Sequence, residues 1–383
     1  MRISLIGPTY PYRGGIAHYT TLLARQLRQD PAHELLFISF TRQYPEWLYT
    51  GRSDRDPSEH PLQTDVEYLL NPLNPTSWWR TLRRLRAWQP ELVILPWWVP
   101  FWAPVWAVLG RGIKRLPGRS RLYYICHNVL PHEQGGLGRQ VLPVITRWTL
   151  SPADGYLVHS QPDGQILQDL LPAARYRVTP HPTYAALSTQ MARALPVSLP
   201  EDRPLLLFAG FVRPYKGLDI LLEALPAVLK QQAVHLLVAG EFWQASDSYR
   251  QQIQEMGLAD AVTIIDDYLP NEVLAACLDR ADVVVLPYRH ATQSGIIQLA
   301  FGQRKPVITT DVGGLSETVE NEKTGLIVPP EDPCALAAAI NRFLQEGLGP
   351  MFRQNIARAE GEFTWASLVD SLLALDQELE SSR

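Results

Sequence analysis

Short apolar runs of three to six residues recur along the chain, and the stretches between them carry apolar positions at helical spacing. In the first half the runs predict strands at Ile3–Ile6, Leu35–Ser39, Leu92–Leu95, Leu122–Cys126, Gly155–Val158 and Tyr176–Val178. In the second half they predict strands at Leu205–Ala209, Val234–Ala239, Val262–Ile265, Val283–Leu286, Val307–Thr309 and Leu326–Val328. Continuous apolar runs, rather than alternating ones, fit strands covered on both faces. Strand and helix alternate almost throughout, which predicts an α/β architecture with parallel sheets. The pattern lapses between Ala185 and Arg203, a stretch holding Pro196 and Pro200, and restarts at Pro204. We therefore expect an N-terminal domain over residues 1–190, a linker over 191–203 and a C-terminal domain over 204–364. Each half of a 383-residue chain is long enough to bury its own core.

Leu92–Gly110 is uncharged over nineteen residues, close to membrane-spanning length. Pro96, Pro100 and Pro104 would break a continuous helix there. The segment reads instead as a buried strand, a loop holding Trp97 and Trp98, and a helix from about Ala103.

The formal net charge of -4 speaks against a general nucleic-acid binder. Three cysteines lie far apart without metal-ligand spacing, and an odd count fits a reducing compartment. The apolar run Ile3–Ile6 is too short for a secretion signal, so a cytoplasmic protein is expected. Charge is uneven, however. From Thr76 to Arg121 there are nine Arg or Lys residues and one acid, Glu91. Within that stretch, Trp78–Trp88 is basic, aromatic and helical in spacing. It has two readings: a surface helix with its Trp and Leu side inward, or a peripheral contact with an anionic membrane surface at the inner face.

The chemistry concentrates where predicted strands end. Each half has a glycine-bearing strand-to-helix turn: Ile6-Gly7 through Gly14-Gly15, and Ala209-Gly210 through Lys216-Gly217. A helix N-terminus with free backbone N–H groups favours a phosphate, and Arg213 and Lys216 add full positive charge at the second turn. The alternative is a pair of solvated loop charges. The glycine spacing is not the dinucleotide fingerprint, so nicotinamide binding is not indicated. His127, with Asn128 after it, directly follows a predicted buried strand, where it can hydrogen-bond a substrate or move a proton. The alternative is a histidine satisfied in the core. His132, Glu133, His159 and His181 are weaker candidates. In Leu286–Ala300, Ser294 and Gly295 would start a helix able to hold a second phosphate, or Ser294 would simply cap it.

At these residues the chain resembles the retaining, nucleotide-sugar-dependent glycosyltransferases of family four, with the GT-B fold. The matches are Gly14-Gly15, His127-Asn128, Gly210 through Gly217, Ala239 through Glu241, Asp282 through Pro287, Ser294-Gly295, Val312 through Glu317 and Lys323 through Gly325. The resemblance implies two Rossmann-like domains with parallel sheets facing a central cleft, and a C-terminal helix (365–383) returning to the first domain. It implies that Arg213 and Lys216 bind the donor diphosphate, and that Gly15 approaches the phosphate or the transferred sugar. His127 would contact the donor sugar, and Tyr268 and Leu269 the nucleobase. Thr292, Gln293, Ser294, Gly295 and Ile296 would form the loop under the phosphates, with Gly14 and Asn128 on the acceptor side. No metal or other cofactor is expected. The family usually carries two glutamates around this loop, contacting the donor sugar and the ribose. Those positions here hold Thr292 and Ala300. Thr292, Gln293 or Gln298 could replace the first by hydrogen bonding, and Ala300 cannot replace the second by its side chain.

The expected function is sugar transfer to a hydroxyl of a sugar, lipid-linked or other small acceptor, in polysaccharide or glycolipid assembly. The alternatives are a non-catalytic nucleotide-sugar sensor or scaffold and a sugar-nucleotide epimerase of the same fold.

Overall fold

The computed structural model describes residues 1–45, 47–48, 51–131, 138–188, 194–243 and 246–381. They divide into two compact units. Unit 1 comprises Met1–Asp56, Pro61–His181 and Trp365–Arg383, and unit 2 comprises Pro57–His60 and Pro182–Thr364.

Unit 1 is built on a seven-stranded parallel sheet. Its strands are β1 (Arg2–Ile6), β2 (Glu34–Phe40), β3 (Glu67–Leu70), β4 (Leu92–Trp97), β5 (Arg121–Cys126), β6 (Gly155–Val158) and β7 (Tyr176–Val178). They lie in the order β3-β2-β1-β4-β5-β6-β7. The six expected strands are present. β3 was not expected: it is four residues long, lies at the sheet edge and has only Leu70 fully buried, so it lacks the apolar run of the others. β4 extends past Leu95 to Trp97, because Pro96 and Trp97 still pair in register with Ile125 and Cys126 of β5. Trp97 is thus the last residue of a strand rather than part of the loop.

One face of this sheet carries helices α1 (Gly15–Leu27) and Trp365–Ser381. The C-terminal helix buries Leu368, Val369, Leu372, Leu375 and Leu379 against Ile3, Leu5, Leu23, Tyr123 and Leu157. Asp376 anchors it, pairing with Arg121 at 2.6 Å and accepting from the Tyr123 hydroxyl at 2.7 Å. The expected return of the C-terminal helix to the first domain is therefore found. The opposite face is covered by α2 (Pro75–Trp88), α3 (Ala103–Ile113) and α4 (Gly138–Leu150), over a core of Phe40, Trp97, Trp102 and Trp106. Among the described residues no helix is long and apolar enough to cross a membrane. Leu92–Gly110 is spent on β4, a short 3-10 turn at Pro100–Trp102 and most of α3.

Unit 2 has a six-stranded parallel sheet: β8 (Leu205–Ala209), β9 (His235–Ala239), β10 (Val262–Ile265), β11 (Val283–Leu286), β12 (Val307–Thr310) and β13 (Gly325–Val328). The order is β10-β9-β8-β11-β12-β13. Leu206 and Phe208 face one core while Leu205, Leu207 and Ala209 face the other, so both sides of β8 are buried.

Both orders reverse direction once, at β1/β4 in unit 1 and β8/β11 in unit 2. At such a switch point the loops leaving neighbouring strands diverge to opposite faces, and a ligand can enter beyond the strand ends. The loops that start there are those following Ile6, Trp97, Ala209 and Leu286, which include the glycine turns and the Leu286–Gly295 segment. His127 leaves β5, the strand beside β4.

Candidate functional site

In unit 2 the chain bends at Gly210 (φ 93°), runs through a 3-10 turn at Pro214–Lys216 and enters helix Leu218–Leu229 through Gly217 (φ 68°). Both glycines are required by contact as well as conformation. A Cβ on Gly210 would stand 3.1 Å from Lys216 Nζ and 3.1 Å from Ile296 Cδ1. A Cβ on Gly217 would stand 2.1 Å from the Pro287 carbonyl oxygen. The bare turn, the ammonium and the N-terminal residues of helix Gly295–Gly302 therefore meet at one point of unit 2. Sequence separations of eighty residues are closed here by the β8/β11 pairing.

Lys216 is 7% exposed, and among the described residues its ammonium makes no hydrogen bond or ion pair. It lies 5.4 Å from the centroid of the buried Tyr288 ring. Burial, and secondarily the nearby Arg213 guanidinium, pull its pKa down to about 7. A buried cation next to another cation is costly unless an anion arrives. The solvated-loop alternative is thus excluded for Lys216. The Arg213 guanidinium stands 5.5 Å from the Tyr215 ring centroid and 5.3 Å from that of Trp243. Phe211 contacts Trp243 (4.8 Å between centroids) and Tyr268 (5.7 Å), forming an aromatic wall that the sequence reading did not single out beyond Tyr268. Leu269 is buried beside it, and the Tyr268 backbone N–H donates to Asp267.

Ser294 is the N-cap of helix Gly295–Gly302, and Gly295 is its exposed first residue. The Ser294 side chain does not cap the helix: its hydroxyl lies 3.3 Å from the Tyr288 hydroxyl. The simple-capping alternative for Ser294 therefore fails. Thr292 is buried, and its carbonyl accepts from Gly314 N–H at 3.1 Å. Gln293 Nε2 and Gln298 Oε1 are buried without a partner among the described residues, so two polar groups here await a hydrogen bond. Ala300 is fully buried among Leu207, Leu286 and Val307, so its position serves the core.

Arg289 lies within the segment Leu286–Ala300, and the structure gives it a task. Its guanidinium donates to Asp219 at 2.9 and 2.6 Å, to the Pro214 carbonyl at 2.8 Å and to Glu331 at 3.1 Å. It thereby ties the Arg213–Lys216 turn to the first turn of the following helix. We expect Arg289→Ala to weaken nucleoside-diphosphate binding about tenfold, raising the donor KM with kcat little changed. Equal affinities of the two proteins in calorimetry would remove this positioning role.

In unit 1, Gly14 (φ 104°) is the N-cap of α1 and the exposed Gly15 is its first residue. Tyr19 follows Gly15 by one helical turn, on the same face. Its ring meets that of His127 edge-on, with centroids 4.4 Å apart, and is backed by Trp365 at 4.9 Å. α1 thus places the first glycine turn above the histidine. The His127 backbone N–H donates to Trp97 O at 2.8 Å, continuing the β4–β5 ladder, and Asn128 follows in the loop. His127 Nε2 is buried without a partner among the described residues, contrary to a histidine satisfied in the core. Burial first, then His159 and His181, hold its pKa well below the usual value, so the ring is neutral at pH 7. His159 lies 5.5 Å from it with Nδ1 3.0 Å from Thr179 O, and His181 lies 6.4 Å from it. His132 and Glu133 lie outside the described residues. Among the described residues no three His, Cys, Asp or Glu side chains are arranged to hold a metal ion.

Residues 13–183 match the model of the family described as Glycosyltransferase Family 4, and residues 203–346 that described as Glycosyl transferases group 1. A D-inositol 3-phosphate glycosyltransferase of Geodermatophilus obscurus is 33% identical over 184 residues, covering 45% of this chain and 40% of that protein. An alpha-D-kanosaminyltransferase of Streptomyces kanamyceticus is 28% identical over 158 residues, 41% of this chain and 40% of that one. The match thus spans less than half of each of these two relatives. Among solved structures, a sucrose-phosphate synthase from Thermosynechococcus elongatus superposes with a TM-score of 0.72 at 22% identity, covering all of both chains. Anabaena HepE in complex with UDP does so at 0.71 and 17%, again covering all of both chains. These likenesses show the fold, which is of the GT-B type.

Proposed function

From a chain that resembles the family-four glycosyltransferases in both of its units, we propose an enzyme that moves a sugar from a nucleotide-sugar donor to an acceptor hydroxyl with retained anomeric configuration. The observation that carries this reading is the buried ammonium of Lys216, without an anionic partner among the described residues, where the Gly210 turn meets the helix at Gly295. A diphosphate supplies the missing charge. Arg213 adds a second cation, and the N–H groups at the start of helix Gly295–Gly302 add donors. The aromatic wall of Phe211, Trp243 and Tyr268 suits a nucleobase face, and Gln293 and Gln298 suit sugar or ribose hydroxyls. UDP is named in the complexes of HepE, which supports a nucleoside diphosphate as the leaving group.

In the reaction the bond from the anomeric carbon to the diphosphate oxygen breaks, and the departing charge is stabilised by Lys216, Arg213 and the helix N–H groups. The acceptor oxygen bonds to the anomeric carbon on the same face, and its proton passes to the departing phosphate oxygen. Neutral His127 donates or accepts one hydrogen bond with the donor sugar, and Gly14, Gly15 and Asn128 leave room for the reacting groups. No step needs a metal. The acceptor is a sugar or a lipid-linked sugar in polysaccharide or glycolipid assembly.

A thermal-shift panel of nucleotide sugars, followed by incubation of purified protein with the stabilising donor, tests the reading. We expect release of nucleoside diphosphate with acceptor present. Binding without any turnover would instead favour a sensor, a role that the buried Ala300 makes the principal rival. Conversion of donor alone to an isomer would indicate an epimerase.

A further inference from the structure

The outer surface of α2, α3 and α4 is chemically unlike the rest of the protein. The three helices lie side by side. Leu82 of α2 packs on Gly112 of α3, where an added Cβ would come within 2.6 Å of it. Arg111 of α3 stacks at 4.5 Å on the Trp148 ring of α4 and donates to its carbonyl at 2.8 Å. Their inner sides bury Leu85, Trp106 and Leu150 in the core. On the outer side Trp79 is 62% exposed, Val144 66%, Val141 49%, Trp148 49% and Val108 43%. Arg80, Arg83, Arg86 and Arg147 are exposed among them, and none has a carboxylate partner among the described residues.

None of the three helices contains Asp or Glu. Among the described residues the acids that reach this layer come from outside it, Glu67 on Arg84 and Asp154 on Lys114, which follows α3. The chain as a whole carries a net charge of -4, so this face has the opposite sign. A solvated helix layer ordinarily mixes both signs and hides its tryptophans.

We propose that this face docks on an anionic lipid bilayer. The valines and tryptophans would enter the interfacial region while the arginines meet headgroup phosphates. The exposed apolar side chains neighbour exposed arginines along the chain, Trp79 beside Arg80 and Trp148 beside Arg147, on a layer that carries no acid of its own. The arrangement therefore suits a diffuse anionic surface. It extends the basic character read from Trp78–Trp88 to three helices and names Val108, Val141, Val144 and Trp148 as the inserted groups. The proposal is independent of sugar transfer, because lipid docking needs no donor and no turnover.

Sedimentation of the full chain with vesicles tests it. We expect partition onto phosphatidylcholine vesicles containing phosphatidylglycerol and little onto phosphatidylcholine alone, with binding lost at high salt. At about fivefold per basic residue, the triple variant R80Q/R83Q/R147Q would partition roughly a hundredfold less. Val144→Asp, at a 66% exposed position that cannot disturb the core, would also reduce binding. Parent-like cooperative thermal unfolding of both variants checks that they fold. Equal binding to neutral vesicles, or variants that bind like the parent, would overturn the proposal. So would a dimer in solution that the triple variant disperses, since the face would then belong to a second copy.

Discussion

Lys216→Ala is expected to weaken nucleoside-diphosphate binding roughly 10- to 100-fold, the worth of one charged hydrogen bond of about 1.5–3 kcal/mol. The same site makes two further demands that an ordinary structural lysine would not. With its pKa near 7 rather than the ordinary 10.5, Lys216 sheds a proton on folding across that interval. The unfolded chain keeps the proton, so this group's contribution to stability is fully present above about pH 10 and is lost as pH falls to about 7. Lys216→Met should remove that slope and leave the ligand-free protein more heat-stable at pH 7 while binding donor worse. A bound diphosphate favours the charged ammonium. Affinity for UDP-glucose, whose diphosphate does not titrate in this range, should therefore fall as pH rises above 7, by up to about tenfold per unit. Calorimetry from pH 6 to 9 reads both effects. A variant that loses stability and keeps its affinity would make Lys216 a structural residue.

The second large effect falls on turnover. His127→Ala is expected to lower kcat by about 10²- to 10³-fold, the usual cost of deleting one preorganised polar group at a reacting centre, with nucleotide affinity nearly unchanged. Because the ring packs edge-on against Tyr19, the substitution also opens a cavity, so thermal unfolding must be followed in parallel. His127→Gln keeps a hydrogen-bonding group there and should retain more activity than alanine. The depressed pKa of the buried ring means that activity should not fall off through the usual histidine range near pH 6.5 on account of His127 protonation. Parent-like kcat in a folded His127→Ala protein would take the residue out of the reaction.

How much of this could be read without coordinates depends on the range of the interaction. β8 and β11 are continuous apolar runs, and such runs announce themselves in sequence; β3, with one fully buried residue at an edge, does not. The glycine turns were legible because a turn is a local event. The isolation of the Lys216 ammonium was not, since only the assembled sheet shows that no carboxylate among the described residues reaches it. Arg289 stood inside a motif that had been noticed, yet its partner Asp219 lies seventy residues earlier. Likewise Tyr19, His127 and Trp365 converge from three distant parts of the chain. Tyr288 and Phe211 flank residues that were singled out, but an aromatic beside a glycine turn is as often core as site until its contacts are known. Ala300 was recognised as standing where the resemblance expects a glutamate, and only the structure shows that the position is packed into the core.

The stereochemistry of transfer tests the central claim most directly. Proton NMR of the reaction from its first minutes, with the donor selected by thermal shift and a simple sugar acceptor, reads the anomeric coupling of the new linkage. The account predicts that the first product carries the donor's own anomeric configuration and that its appearance matches release of nucleoside diphosphate. A first product of opposite configuration, or diphosphate binding with no glycoside formed from any acceptor tried, would contradict it.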